Sequence, residues 1–223
     1  FLDPAPSVNT EIDKAYTTET NIQNGLIGAY ASMQNPYYYG GHYLLINDAL
    51  ADNAATGGYQ NPVLDEIGMR AVTPANTITA QMFVAIYNTI AHTNNLLAGI
   101  EKVNIDAAKK APYQAQAKAI RAMAHFDLLR YFGQHWDINS AVGIPIVKTV
   151  ATIDVKPSRN TVKENYDFII SELTAAAKDA GEVESNNYLG TNAINALLAR
   201  VYLYKGDKTN AAKYASMVIE SGN

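Results

Sequence analysis

The chain has 223 residues, 48% of them apolar and 17% charged, with a formal charge of −4 from 17 basic and 21 acidic side chains. That balance describes a folded chain with one good core or two small ones, and it carries no basic stripe of the kind nucleic acid requires. Cysteine is absent, which excludes disulfides, thiolate metal sites and cysteine nucleophiles, and no apolar run approaches the roughly 20 residues of a membrane-spanning helix.

Residues 1–17 hold Pro4 and Pro6 and show little apolar periodicity. They read as an extended lead-in, and Phe1-Leu2-Asp3-Pro4 reads as a mature or trimmed start. Thr18 is placed to cap a first helix, in which Ile22, Leu26, Ala29 and Met33 recur on one face. Asn35-Pro36 ends it, because a residue before proline is pushed out of the helical region. Residues 36–78 are irregular and rich in Gly, Asn and Tyr. Tyr37-Tyr38-Tyr39-Gly40-Gly41 opens the stretch, Leu44–Leu50 predicts a short helix, and Gly57-Gly58-Tyr59-Gln60-Asn61-Pro62 punctuates it. A long irregular insertion in a compact chain is often functional.

Helical periodicity returns near residue 79, where Phe83, Ile86, Ile90 and Leu97 predict a helix to about Lys102. Asp106 caps a long helix that Gly133 stops. Ala119, Ala122, Phe126 and Leu129 line one side of it, and Ala117, Ile120, Ala124, Leu128 and Tyr131 another, so it should be sandwiched between neighbours. After a loop over 134–159, Thr161-Val162-Lys163-Glu164 forms a capping box for a helix ending near Gly181. Thr191 is the expected cap of the next helix, which runs to about Lys205. Gly206-Asp207 makes a tight turn into a last helix that ends at Ser221. No segment alternates with period two, so the class is all-α. Ala199, Ala211 and Ala215 have the spacing of a tetratricopeptide helix hairpin, which predicts stacked helical hairpins in a short solenoid.

No phosphate loop, dinucleotide fingerprint, HExxH or GxSxG is present. His42, His92, His125 and His135 are scattered, with no pair at metal-ligand spacing, so neither metal nor cofactor is called for. His125 reads as a packed histidine and Asn94 as a structural amide. Asp48 and Asp52, four apart on one expected helix face, read as structural before they read as ion ligands or acid/base groups. The best binding candidate is the Tyr37–Tyr39 cluster. Three consecutive aromatics cannot all face a core, so at least one should be exposed. Tyr faces beside Asn and Gln suit sugars, whose C–H faces stack on rings while their hydroxyls take amide partners; they suit peptides nearly as well. The lone Trp136, beside His135 in a loop, reads more readily as a gap filler than as a contact.

The ordered motifs resemble the N-terminal half of the SusD/RagB family. Gly25-Leu26-Ile27-Gly28-Ala29-Tyr30, Asp48 with Asp52-Asn53, and Ile90 through Asn95 with Leu96-Leu97 each match a family segment. The most specific match is Arg121-Ala122-Met123-Ala124-His125-Phe126-Asp127-Leu128-Leu129-Arg130-Tyr131-Phe132-Gly133. Gly143-Ile144-Pro145-Ile146-Val147, Arg159-Asn160-Thr161-Val162 and Ala196 through Tyr204 before Gly206-Asp207 follow in order. The resemblance implies a tetratricopeptide-like scaffold over 18–223. It also implies a non-catalytic lipoprotein on the outer face of the outer membrane that binds glycans, or peptides in RagB-like members, and passes them to a TonB-dependent SusC-like transporter. A plain helical scaffold for protein contacts is the reading from another class. Family members run to about twice this length, so a C-terminal half and the lipidated cysteine are expected to be missing. Loop position and chemistry nominate Tyr37, Tyr38, Tyr39, His42, Asn53, Tyr59, Gln60 and Asn61 as ligand contacts.

Overall fold

A computed structural model describes residues 15–54, 62–150, 156–183, 185 and 187–222. Every regular element among them is a helix: α1 (Glu19–Met33), α2 (His42–Leu50), α3 (Pro62–Gly68), α4 (Thr77–Lys102), α5 (Ala107–Phe132), α6 (Val162–Asp179), α7 (Thr191–Lys205) and α8 (Lys208–Glu220). From α4 to α8 each helix packs on the next, while α1 lies over α4 and α5. This neighbour-to-neighbour order is that of a short helical solenoid.

Local chemistry sets most helix ends. The Thr18 hydroxyl accepts from the Asn21 N–H, Asp106 accepts from the Ala108 N–H, and Thr161 with Glu164 closes a reciprocal capping box. Each satisfies backbone donors that a helix start leaves unpaired. Gly206 ends α7 with φ +84°, a left-handed conformation that suits glycine, and Asp207 caps α8. Thr191 departs from expectation. The cap of α7 is Gly190, and the Thr191 hydroxyl instead donates to the Ala177 carbonyl, tying α7 back to α6. Helix α3 falls in the stretch expected to be irregular.

Helix α5 is the centre of the molecule. Ala117, Ala119, Ile120, Ala122, Ala124, Phe126, Leu128 and Leu129 are all buried, as its two apolar faces require. Its alanines let α4 and α6 approach from opposite sides. Close approach also fixes Gly99 on α4, where an added Cβ would lie 2.2 Å from the Tyr16 ring. Tyr16 thus packs into the core formed by α1, α4 and α5, although it belongs to the expected lead-in.

The segment 143–147 runs extended along α5 and α6. The Asn165 side chain accepts from the Ile144 N–H at 2.8 Å and donates to the Ile144 carbonyl at 2.9 Å. Asn94 donates to the Val147 and Thr149 carbonyls at 3.2 and 3.0 Å, which is the structural role its sequence position implied. His125 is fully buried. Its Nδ1–H donates to the Arg121 carbonyl at 2.8 Å, and its Nε2 accepts from the Val147 N–H at 3.2 Å. Only the neutral ring can play both parts. Burial chiefly, with the nearby Arg121 and Lys148 charges, pulls its pKa from 6.5 down to about 4.

That shift has a definite sign. Below pH 6.5 the unfolded chain takes up a proton that the folded chain refuses until about pH 4. The stabilisation is therefore complete above pH 6.5 and drains away as the pH falls toward 4. Between about pH 7.5 and about pH 5 this residue should account for a loss of about 2 kcal/mol. Urea unfolding followed by circular dichroism checks it: His125→Gln should be less stable at neutral pH but lose less than the parent over that interval. Equal losses in the two proteins would show that His125 does not set the slope.

Candidate functional site

The turn from Asn35 to Gly41 delivers three consecutive tyrosines, and the structure corrects the expectation that one of them must be exposed. Tyr38 is fully buried, and Tyr37 and Tyr39 are half-buried. The reason lies on α5. Asp127, 1% exposed, accepts at Oδ2 from the Tyr38 hydroxyl (2.6 Å) and the Tyr39 hydroxyl (2.9 Å), and at Oδ1 from the Tyr43 hydroxyl (2.7 Å). Arg130, one turn later, donates to the same Oδ1 at 2.5 Å and to the Tyr43 hydroxyl. Every group facing the carboxylate is a donor, so its burial is compensated. Burial first, and then the Asp127 charge, push the Tyr38, Tyr39 and Tyr43 hydroxyls well above the ordinary tyrosine pKa. They stay protonated and donate at any physiological pH. Tyr38 and Tyr39 are therefore anchors of the turn. The buried ring of Tyr38 has no surface to offer a ligand.

Tyr37 and His42 are what this turn leaves half open. Their rings stack with centroids 4.8 Å apart and planes 18° from parallel, and the His42 Nδ1–H donates to the Pro36 carbonyl at 3.0 Å. The pair sits at the head of α2. One turn further along α2, Leu45 enters a cleft of about 230 Å³ between α2 and α3, lined also by Ala49, Asp52, Ala54, Leu64 and Met69. Asp48 and Asp52 do not share a helix face. Helix α2 ends at Leu50, and Asp52 takes φ +60°, where it meets Arg70 at 3.0 Å. Both partners of that ion pair are exposed, so it shapes the cleft rim more than it stabilises the fold. Asn53 is exposed, with its backbone N–H on the Asp48 carbonyl. Tyr59, Gln60 and Asn61 lie outside the described residues.

A larger cleft of about 510 Å³ between α4 and α5 is bordered by Glu101, Lys118, Arg121 and Lys148. Arg121 is bound by Glu172 through Nε (2.8 Å) and a terminal nitrogen (2.5 Å), by Asn94 Oδ1 (2.8 Å) and by the Lys148 carbonyl (3.0 Å). This arginine is an architectural tie. Among the described residues no group of acidic and histidine side chains could hold a metal ion, and no helix is long and apolar enough to cross a membrane. What the tyrosine-held turn and its cleft offer is a fixed aromatic surface beside a small, partly apolar hollow with carboxylates on its rim.

Comparison with known proteins places this architecture. The SusD-like family described as starch-binding associating with outer membrane matches residues 1–203. The chain belongs to the SusD/RagB family. A SusD-like protein of Formosa agariphila is 28% identical over 212 residues, covering 92% of this chain and 40% of that protein. Among solved structures, a SusD superfamily protein of Bacteroides thetaiotaomicron has 27% identity and a TM-score of 0.81, covering 91% of this chain and 46% of that one. A putative sugar binding protein of Bacteroides vulgatus has 30% identity and a TM-score of 0.78, covering 92% and 47%. The chain thus spans two-fifths to one-half of the length of these relatives. The helical-repeat fold expected for SusD/RagB proteins is the fold observed.

Reading the sequence missed Asp127 as the partner of the tyrosines; an aspartate amid the apolar faces of a sandwiched helix, three residues before an arginine, is the signal that could have found it.

Proposed function

We propose that the chain is a non-catalytic, cell-surface glycan-binding subunit that delivers oligosaccharides to a TonB-dependent SusC-like transporter, held to the outer membrane by a lipid anchor. The observation that carries this reading is the family match over residues 1–203. The stacked Tyr37–His42 pair, Asn53 and the cleft between α2 and α3 are the proposed contact surface. Tyr37 offers an apolar ring for a sugar's C–H face, and His42 and Asn53 offer polar partners for its hydroxyls. Tyr59, Gln60 and Asn61 stay in the proposal on their sequence chemistry alone.

Affinity electrophoresis in gels containing amylopectin or laminarin, with calorimetry against a peptide panel, tests the reading. The parent should be retarded by a glucan, and Tyr37→Ala combined with His42→Ala should weaken the retardation by about tenfold. Unchanged affinity in a folded double variant would move the contact surface elsewhere. Peptide binding without retardation by any glucan would replace the ligand class.

A further inference from the structure

We infer that Trp136 is a second saccharide-stacking platform, distinct from the Tyr37–His42 surface; this rests on the glycan-binding reading above. The side chain is 72% exposed, so it does not fill a gap as its loop position led us to expect. A single exposed apolar residue needs no explanation by itself. Three further features set this one apart.

The first is the rigidity of its mount. The Gln134 N–H donates to the Val142 carbonyl at 2.8 Å, and the Ser140 hydroxyl donates to Gln134 Oε1 at 2.7 Å. The Tyr166 hydroxyl donates to the His135 carbonyl at 3.1 Å, and the Val162 N–H to the Ser140 carbonyl at 3.0 Å. The loop is thus closed on itself and pinned to α6 on both sides of the indole. A backbone fixed before a ligand arrives leaves only the side-chain torsions of the ring to be ordered on binding.

The second is aromatic continuity. His135 lies between Trp136 and the exposed Tyr204 of α7, with ring centroids 5.3 and 5.6 Å away. The Arg130 guanidinium stands 5.6 Å from the Tyr204 ring and 5.8 Å from the Tyr43 ring. This aromatic group and the tyrosine-anchored turn therefore meet at one arginine, at the same end of α5.

The third is polar surroundings. Asp137 and Asn139, both exposed, flank the indole within three residues, and exposed Arg200 lies one turn before Tyr204. The His135 Nδ1 is shut away from solvent and has no hydrogen-bond partner. An open indole with an exposed carboxylate and an exposed amide within three residues is the chemistry that a sugar ring calls for: C–H groups on the face, hydroxyls at the edge.

Trp136 is the chain's only tryptophan, so its fluorescence reports on this site alone. Its exposure means that Trp136→Ala should fold normally, which circular dichroism checks. With amylopectin and laminarin as probes, a retained glucan should shift or quench the Trp136 emission, and Trp136→Ala should lose affinity by about tenfold or more. Retention of the parent with either unaltered emission at saturation or unaltered affinity in Trp136→Ala would overturn the platform and leave the glycan reading standing. Failure of both glucans to bind the parent would remove both together.

Discussion

Replacing Asp127 by alanine is expected to cost about 3–5 kcal/mol, as much as truncating a large core side chain. The substitution removes the acceptor of three tyrosine hydroxyls and the counter-charge of Arg130 in one step. Arg130 cannot escape to water, because its guanidinium is enclosed by Phe126, Tyr43, Tyr131 and Tyr204. What remains is a buried cation without its counter-charge and three tyrosine hydroxyls without their carboxylate acceptor, which costs far more than the original pair contributes. Asp127→Asn keeps the shape but turns an amide N–H₂ toward donors, so it should fall between parent and alanine variant. Urea unfolding monitored by circular dichroism measures both. Hydrogen exchange should show faster opening of residues 37–50 than of α4 in either variant, because the turn loses its anchor. A loss below about 1 kcal/mol in Asp127→Ala would mean that apolar packing alone holds the turn.

Arg121 is expected to be nearly as sensitive. Its side chain is 8% exposed and joins three elements: Glu172 of α6 (16% exposed), Asn94 of α4 and the Lys148 carbonyl. Arg121→Met strands the Glu172 carboxylate and the Asn94 oxygen together, for an expected loss of about 3 kcal/mol. Arg121→Lys keeps the charge but not the planar fork, and a point ammonium cannot serve partners on three sides, so about 2 kcal/mol should still be lost. The same unfolding experiment distinguishes the cases. If lysine restored full stability, charge would be the sole requirement and the fork geometry would not matter.

These two residues mark where reading the sequence succeeds and where it stops. Helix starts were legible because a cap is local: Thr18, Asp106 and the Thr161–Glu164 box each act within a few residues. The sandwiched character of α5 was legible because two apolar faces leave no other solution. The direction of Tyr38 was not, because it depends on Asp127, 89 residues away. Neighbouring glycines and a run of aromatic rings suggest an exposed loop only while that distant acceptor is unknown. Helix α3 escaped because seven residues beginning at a proline carry too little periodicity to register. Trp136 escaped for a different reason: nothing local in a sequence says whether a loop indole turns in or out.

The anchoring of the Tyr38–Tyr43 turn divides labour within a few residues. Its inward hydroxyls hold the fold, while Tyr37, His42 and the cleft rim carry little of that burden. Substitutions on the outer side can therefore accumulate without crossing the threshold at which the protein unfolds. A surface built this way is free to change its side chains while the scaffold beneath it stays put.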